Sequence, residues 1–221
     1  MSTTAEEKSP KSKFIFSTLP ILSWVFIFLL IFARVFIFQP VEVNGNSMLP
    51  TTHQGARWIV EEISSKIQST KFQRGHVIVY CAETHNCDKD NVLARFSLKY
   101  YIKRIVGLPG ESIEIKNSKT LIYNTQYPNG VILSEDYLSK EVRDGLDKTT
   151  RYDIPLTKIP DDSYFIMGDN RVDSSDSRYF GPVKEKALLG KIWVQFWPLS
   201  EADNFELPDY KYIPYIPDQA K

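Results

Sequence analysis

The chain has 221 residues, with 27 basic against 27 acidic side chains and 43% hydrophobic residues. A formal net charge of zero lacks the basic excess that nucleic-acid binding demands, so no nucleic-acid partner is expected. The 13 Pro, 13 Phe and 12 Tyr favour strands and turns over helices.

Residues 1–13 are polar, carry Lys8, Lys11 and Lys13, and are predicted to be a cytoplasmic tail. Residues 14–38 are apolar apart from Ser17, Thr18, Ser23 and Arg34. That length suffices to span a bilayer. It exceeds the apolar core of a cleavable signal peptide, and no small-x-small cleavage site follows it. The stretch is therefore a predicted transmembrane anchor. Three lysines before it, against Arg34 alone at its far end, place the N-terminus in the cytoplasm. Residues 39–221 are then an extracytoplasmic domain held near the membrane surface, of about 180 residues, enough for one sizeable core.

Within that domain, Gln39–Asn44 alternates as a strand and leads into Val43-Asn44-Gly45-Asn46-Ser47-Met48-Leu49-Pro50-Thr51. Strands are predicted at Arg57–Glu62 and, after the turn Arg74-Gly75, at His76–Cys81. The segment 64–72 reads as a polar connection and 83–91 as a charged loop. Tyr100–Val106 is a strong strand, and its period of two puts Tyr101, Lys103 and Ile105 on one face and Ile102, Arg104 and Val106 on the other. Ser112–Lys116 and Thr120–Asn124 flank a hairpin turn at Asn117-Ser118-Lys119. Residues 125–160 read as a polar, irregular excursion. Further strands are predicted at Ser163–Met167 and Lys191–Trp197, followed by a loosely ordered proline-bearing tail. Many short strands with turn signals and almost no helix outside the anchor predict a mostly β, antiparallel all-β domain.

The chemistry begins with Ser47 as a candidate nucleophile, which needs a base. None of His53, His76 and His85 sits in a recognisable triad pattern, and Leu49 stands where a Gly-x-Ser-x-Gly elbow needs glycine. Lysine is the alternative. A base near neutral pH requires its pKa to fall by about three units, and burial on an apolar sheet face achieves this. Lys103, between Tyr101 and Ile105 on its face, is the candidate. The two cysteines, Cys81 and Cys87, leave a disulfide or two free thiols open. A metal site lacks the four ligands it needs, and no cofactor is expected. The segment Gly168–Gly181 is rich in Asp and Ser but fails the Ca²⁺-loop pattern.

Four stretches in order, behind the predicted anchor, resemble the bacterial type I signal peptidases, membrane-anchored Ser-Lys endopeptidases. They are Ser47–Thr51, Arg74–Tyr80, Tyr101–Glu111 and Gly168–Gly181. The resemblance implies the β fold of that family, with Ser47 as nucleophile, Lys103 as general base and Ser174 hydrogen-bonded to the lysine amine. It implies supporting ion pairs of Asp169 with Arg104 and of Asp176 with Arg178. The backbone N–H of Ser47 would serve the oxyanion; some relatives add a serine hydroxyl where this chain has Gly45. His76 and Val172 stand where Asp is usual. An extended peptide would pair with the Val41–Asn44 and Tyr101–Lys103 strands. Val43, Met48 and Tyr101 would line a first pocket and Val41, Val43 and Ile102 a second, each suited to alanine-sized residues at −1 and −3 of a signal peptide. The implied partners are preprotein signal peptides, the lipid bilayer and, as a candidate, the export translocon. The implied location is a plasma (inner) membrane, with a thylakoid membrane as the alternative. Two other readings are a repressor-type Ser-Lys self-cleaving protease and an inactive membrane-tethered member of the same fold.

Overall fold

The computed structural model describes residues 21–30, 38–62, 72–81, 100–146 and 152–215. The tail at 1–13, most of the predicted anchor, residues 63–71, the charged loop with His85 and Cys87, and the extreme C-terminus lie outside them. The chain divides into two units, Met1–Phe38 and Gln39–Lys221. In the first, residues 21–30 are helical (α1) and exposed along their whole length. Among the described residues no helix is long and apolar enough to cross a membrane.

The second unit is built on antiparallel strands. Those of the first sheet are β1 (Phe38–Glu42), β2 (Arg57–Glu61), β3 (Val77–Cys81) and β4 (Tyr100–Gly107). The second sheet takes β5 (Ser112–Lys116), β6 (Lys119–Tyr123), β7 (Val131–Leu133) and β8 (Ile154–Lys158). The chain then returns to the first with β9 (Ser163–Met167), β10 (Val183–Lys184), β11 (Leu188–Trp197) and β12 (Asp203–Asn204), and ends in the second with β13 (Tyr212–Pro214). The first sheet runs β1-β2-β11-β3-β4-β9-β10, with β12 on β11; the second runs β13-β7-β6-β5-β8. Two short helices, α2 (Lys140–Leu146) and α3 (Ser177–Phe180), complete the unit.

Each strand shows why it formed. β3 is flanked by β11 and β4, and all five of its residues are buried, as a central strand covered on both faces requires. Val77 and Val79 enter one apolar cluster, while Ile78 and Tyr80 enter another on the opposite face. A third cluster joins Val106, Phe165 and Met167 of the first sheet to Ile113, Ile122, Val131 and Leu133 of the second. The hairpin of β5 and β6 turns on Asn117 and Ser118, both at positive φ (49° and 63°), the conformation a two-residue hairpin loop favours.

Two expectations are corrected. Residues 125–160 are not an irregular excursion: they supply β7, α2 and β8. Their strands are short, and β8 begins Ile154-Pro155, which hides the alternation. The tail is not wholly loose, because Tyr212–Pro214 pairs with Val131–Leu133 and closes the second sheet.

Candidate active site

Ser47 is delivered by a turn between β1 and β2. Gly45 has φ +106°, a conformation that side chains disfavour, so glycine here serves the turn itself. A serine hydroxyl at this position would come with backbone strain. Met48 is buried in the cluster beneath the first sheet, with Val43, Ala56 and Trp58. It thereby anchors the turn beside Ser47. The Leu49 N–H donates to Asn46 O (3.2 Å) and the Thr52 N–H to Met48 O (3.1 Å), closing the turn.

β4 brings Lys103 to Ser47. Its Nζ donates to Ser47 Oγ at 2.6 Å and to Ile102 O at 3.1 Å. Lys103 is only 3% exposed. Burial lowers its pKa from 10.5 to about 8; the negative charges of Asp176 and Asp169 restrain the fall and Arg178 adds to it. No carboxylate lies within salt-bridge distance of the amine among the described residues. A lysine held this way keeps an accessible neutral form near physiological pH.

The third segment, residues 168–178, walls the site. The Asn170 N–H donates to Ser47 O at 3.0 Å, and Asn170 Nδ2 to Asn46 O at 3.1 Å. Gly168 packs so closely that a Cβ there would collide with both Ser47 O and Ser174 Oγ. Asp169 receives Arg104 through two bonds, Nε to Oδ1 (2.8 Å) and Nη2 to Oδ2 (2.6 Å), and Thr51 Oγ1 also donates to it. Asp176 receives Arg178 in the same two-pronged way (2.8 and 2.9 Å), accepts the Gly168 N–H (3.0 Å) and caps α3. Burial works against its charged form, but Arg178 and these hydrogen bonds outweigh that and hold the carboxyl below its usual range.

Ser174 departs from expectation. Its Oγ is buried without a hydrogen-bond partner, so the expected bond to the lysine amine is not formed. The hydroxyl still helps favour the Asp176 carboxylate, without reaching hydrogen-bonding geometry. The residues expected to bind substrate divide. Val41 and Ile102 pack against the cluster that holds Val43 and Met48. Tyr101 instead is 44% exposed and lies against Tyr80, with ring centroids 6.0 Å apart. Phe180 also lies near Tyr80, with ring centroids 6.4 Å apart.

The two described histidines serve elsewhere. His53 pairs with Glu201 on the surface at 3.4 Å. His76 is buried, and its Nδ1 accepts the Gln73 N–H at 2.9 Å. Burial and the Lys191 charge push its pKa down to about 4, against the opposing pull of Glu61. Val172 is exposed, and its carbonyl accepts Tyr152 Oη at 3.0 Å. Cys81 is disulfide-bonded; Cys87, the second cysteine of the sequence, lies outside the described residues. Among the described residues no group of three or more His, Cys, Asp or Glu is placed to hold a metal.

Sequence reasoning gave Thr51, Asn170, Arg171 and Gly168 no role, although all four lie within quoted motifs. Glu135 and Tyr137, which pair with Arg171, were missed altogether. They sit in the segment read as irregular, and nothing local marks an acid whose partner lies 36 residues away.

Comparison with known proteins places the chain in a family. A family model described as "Signal peptidase, peptidase S26" matches residues 16–197. "Signal peptidase I T" of Bacillus subtilis (strain 168) is 33% identical over 206 residues, covering 90% of this chain and 94% of the relative. "Signal peptidase I" of Bacillus amyloliquefaciens is 34% identical over 211 residues, covering 91% of this chain and 97% of the relative. A solved signal peptidase I from Enterococcus faecalis is 34% identical, with a TM-score of 0.41, covering 55% of this chain and 96% of that one.

Proposed function

The chain belongs to the signal peptidase family, peptidase S26, a family of serine proteases that remove signal peptides from preproteins, and we propose that it does so with Ser47 as nucleophile and Lys103 as general base. The single observation that carries this reading is the buried Lys103 Nζ, 2.6 Å from Ser47 Oγ. In its neutral form the amine accepts the Ser47 proton as Oγ attacks the scissile carbonyl. The resulting ammonium then gives that proton to the departing amine of the substrate. The Ser47 N–H has no acceptor among the described residues and is free to meet the oxyanion. Water, deprotonated by the same lysine, releases the acyl group and regenerates Ser47.

Substrate would enter as an added strand. β1 is an end strand of its sheet. Residues 101–103 of β4 pair with β3 on one side only, since β9 joins from Arg104 onward. Both offer backbone to an extended peptide. Val41, Val43, Met48 and Ile102 would supply small apolar pockets for the −1 and −3 side chains. Tyr101, aside from that cluster, would border the scissile bond.

Residues 14–38 would anchor the enzyme in the lipid bilayer, with the tail in the cytoplasm and residues 39–221 outside a plasma or thylakoid membrane, within reach of the translocon. A disulfide between Cys81 and Cys87 fits that oxidising side.

The test is cleavage of a preprotein by wild type against Ser47→Ala and Lys103→Ala, each checked for folding. Both variants should lose several orders of magnitude. Activity within about tenfold of wild type in either would refute the dyad. The acid limb of kcat/KM should lie near the lysine's pKa of about 8, because only the neutral amine acts as base.

A further inference from the structure

The second sheet contributes none of the groups assigned so far, yet a residue just past β7 reaches the site through two others. Glu135 has a side chain only 9% exposed and saturated with donors. It accepts Thr120 Oγ1 (2.8 Å), Tyr137 Oη (2.7 Å) and Arg171 Nη1 (2.8 Å), and it also receives Arg171 Nη2. Burial disfavours its charge, but the Arg171 guanidinium prevails and holds the carboxyl below its usual range. Arg171 is more fully enclosed, with a side chain 3% exposed. With its two outer nitrogens fixed by Glu135 and one of them also on Tyr137 Oη (2.8 Å), its remaining Nε points at Gly168 O, 3.1 Å away. Gly168 in turn lies against Ser47 O, so close that a Cβ there would collide with it. Two residues on, the Asn170 N–H holds that same carbonyl.

We infer that Glu135 is a positioning residue for Ser47, acting through Arg171 and the Gly168 carbonyl. The inference rests on the Ser47–Lys103 reading above. The physical reason is directional. A planar guanidinium gripped by a carboxylate through two parallel bonds has its plane fixed, and with it the aim of Nε. Glutamine at 135 presents one NH₂ to a donor and so accepts at one position only. The plane is then free to rotate, Gly168 O loses its donor, and the segment against Ser47 O loosens. Among the described residues, the hydrogen bonds of Glu135 go to Thr120, Tyr137 and Arg171, none of them on β1 or β4, the strands that would receive the peptide. The cost should therefore fall on kcat and leave KM unchanged.

The experiment uses the full chain and an internally quenched signal-peptide substrate, with rates expressed per folded molecule from near-ultraviolet circular dichroism. Glu135→Gln should lower kcat by about ten- to hundredfold, the scale of a small misplacement of reacting groups, with KM within about twofold of wild type. Arg171→Lys keeps the charge but loses the fork and should show a similar fall. The double variant should be no worse than Arg171→Lys alone, because Glu135 acts only through Arg171. A kcat per folded molecule within about twofold of wild type, a change confined to KM, or multiplicative losses in the double variant would each overturn the inference. Should Glu135→Gln not fold, Tyr137→Phe takes its place. It deletes the hydroxyl that bonds both Glu135 and Arg171, yet keeps the ring that lies 4.2 Å from the Arg104 guanidinium. It should lower kcat about threefold in the wild-type background and not at all in Arg171→Lys, and the same contrary results would overturn the inference. Ser47→Ala is run in parallel. Residual cleavage there rejects the dyad, whereas a dead Ser47→Ala beside an unaffected Glu135→Gln rejects the positioning role alone.

Discussion

The two faces of β4 treat buried positive charge in opposite ways. On one face Arg104 is 2% exposed and receives a full complement of partners: both oxygens of Asp169, the Gly75 carbonyl, Thr51 Oγ1 and the ring of Tyr137. Its charge is thereby stabilised beyond its already high pKa, Asp169 outweighing the burial. On the other face Lys103 is buried to almost the same degree, but receives only a hydroxyl and a carbonyl. The carboxylates nearest it, Asp176 and Asp169, are each engaged by an arginine. Adjacent residues on one strand thus differ by whether a counter-ion was granted. The arginine builds; the lysine, denied its partner, keeps a neutral form that can take a proton.

Four substitutions test that contrast, beginning with the largest effect. Lys103→Arg keeps the charge and much of the bulk but places a permanently protonated group beside Ser47. It should lower kcat/KM by about four orders of magnitude or more, measured as preprotein cleavage per folded molecule. Recovery of activity at high pH would contradict this, since guanidinium does not titrate there.

Asp169→Asn strips the counter-ion from Arg104. An uncompensated buried charge should cost about 3–5 kcal/mol in unfolding free energy, read from denaturant midpoints. A loss below about 1 kcal/mol would mean that Arg104 does not depend on Asp169.

Lys103→Met should do the reverse and stabilise an inactive protein. The folded pKa of about 8 lies below the unfolded value of 10.5, so folding expels a proton or strains to keep it. That penalty is fully present below pH 8 and disappears as the pH rises through 10.5. Removing it should gain about 3 kcal/mol at pH 7, with no gain above the unfolded pKa. Equal stability of the two proteins from pH 7 to pH 10 would show that the amine is not penalised.

The smallest effect belongs to His76, a third buried base, whose folded pKa of about 4 lies below the unfolded 6.5. The unfolded chain binds the proton first, so stability should fall as the pH drops from 6.5 toward 4. His76→Gln should remove about 2 kcal/mol of that loss at pH 5 and change nothing at pH 8, as followed by thermal unfolding.

How far the sequence revealed this arrangement depends on the range of each interaction. Ser47 and Lys103 were visible because each sits in a compact motif whose local chemistry makes sense alone: a glycine turn before a serine, and a lysine between apolar neighbours on a strand. The strands with long apolar runs, β3, β4 and β9, were visible for the same reason. The second sheet was only half visible. Its hairpin of β5 and β6 announces itself through Asn117-Ser118, whereas β7 and β13 have three residues each and depend on their partners: β7 lies between β6 and β13, and β13 pairs with β7 from far along the chain. Glu135 could not be singled out, since an acid beside Asp136 in a polar segment looks like surface until Arg171 folds onto it. Ser174 was placed correctly in its loop, but not in its hydrogen bonding. Which donor wins the Asp176 carboxylate depends on a competition among Arg178, Gly168 and Ser174 that no spacing encodes.

The bonds from Asn170 to Ser47 O and Asn46 O carry a consequence for the order of events in making the enzyme. The side-chain bond spans 124 residues of chain, and that between Thr51 and Asp169 spans 118. Contacts of such separation form late, after the loop between them has been closed at its entropic cost. A ribosome therefore releases Ser47 early and its clasp late, with β5 to β8 of the second sheet made in between. A nascent or nicked chain would carry Ser47 on an unbuttressed turn.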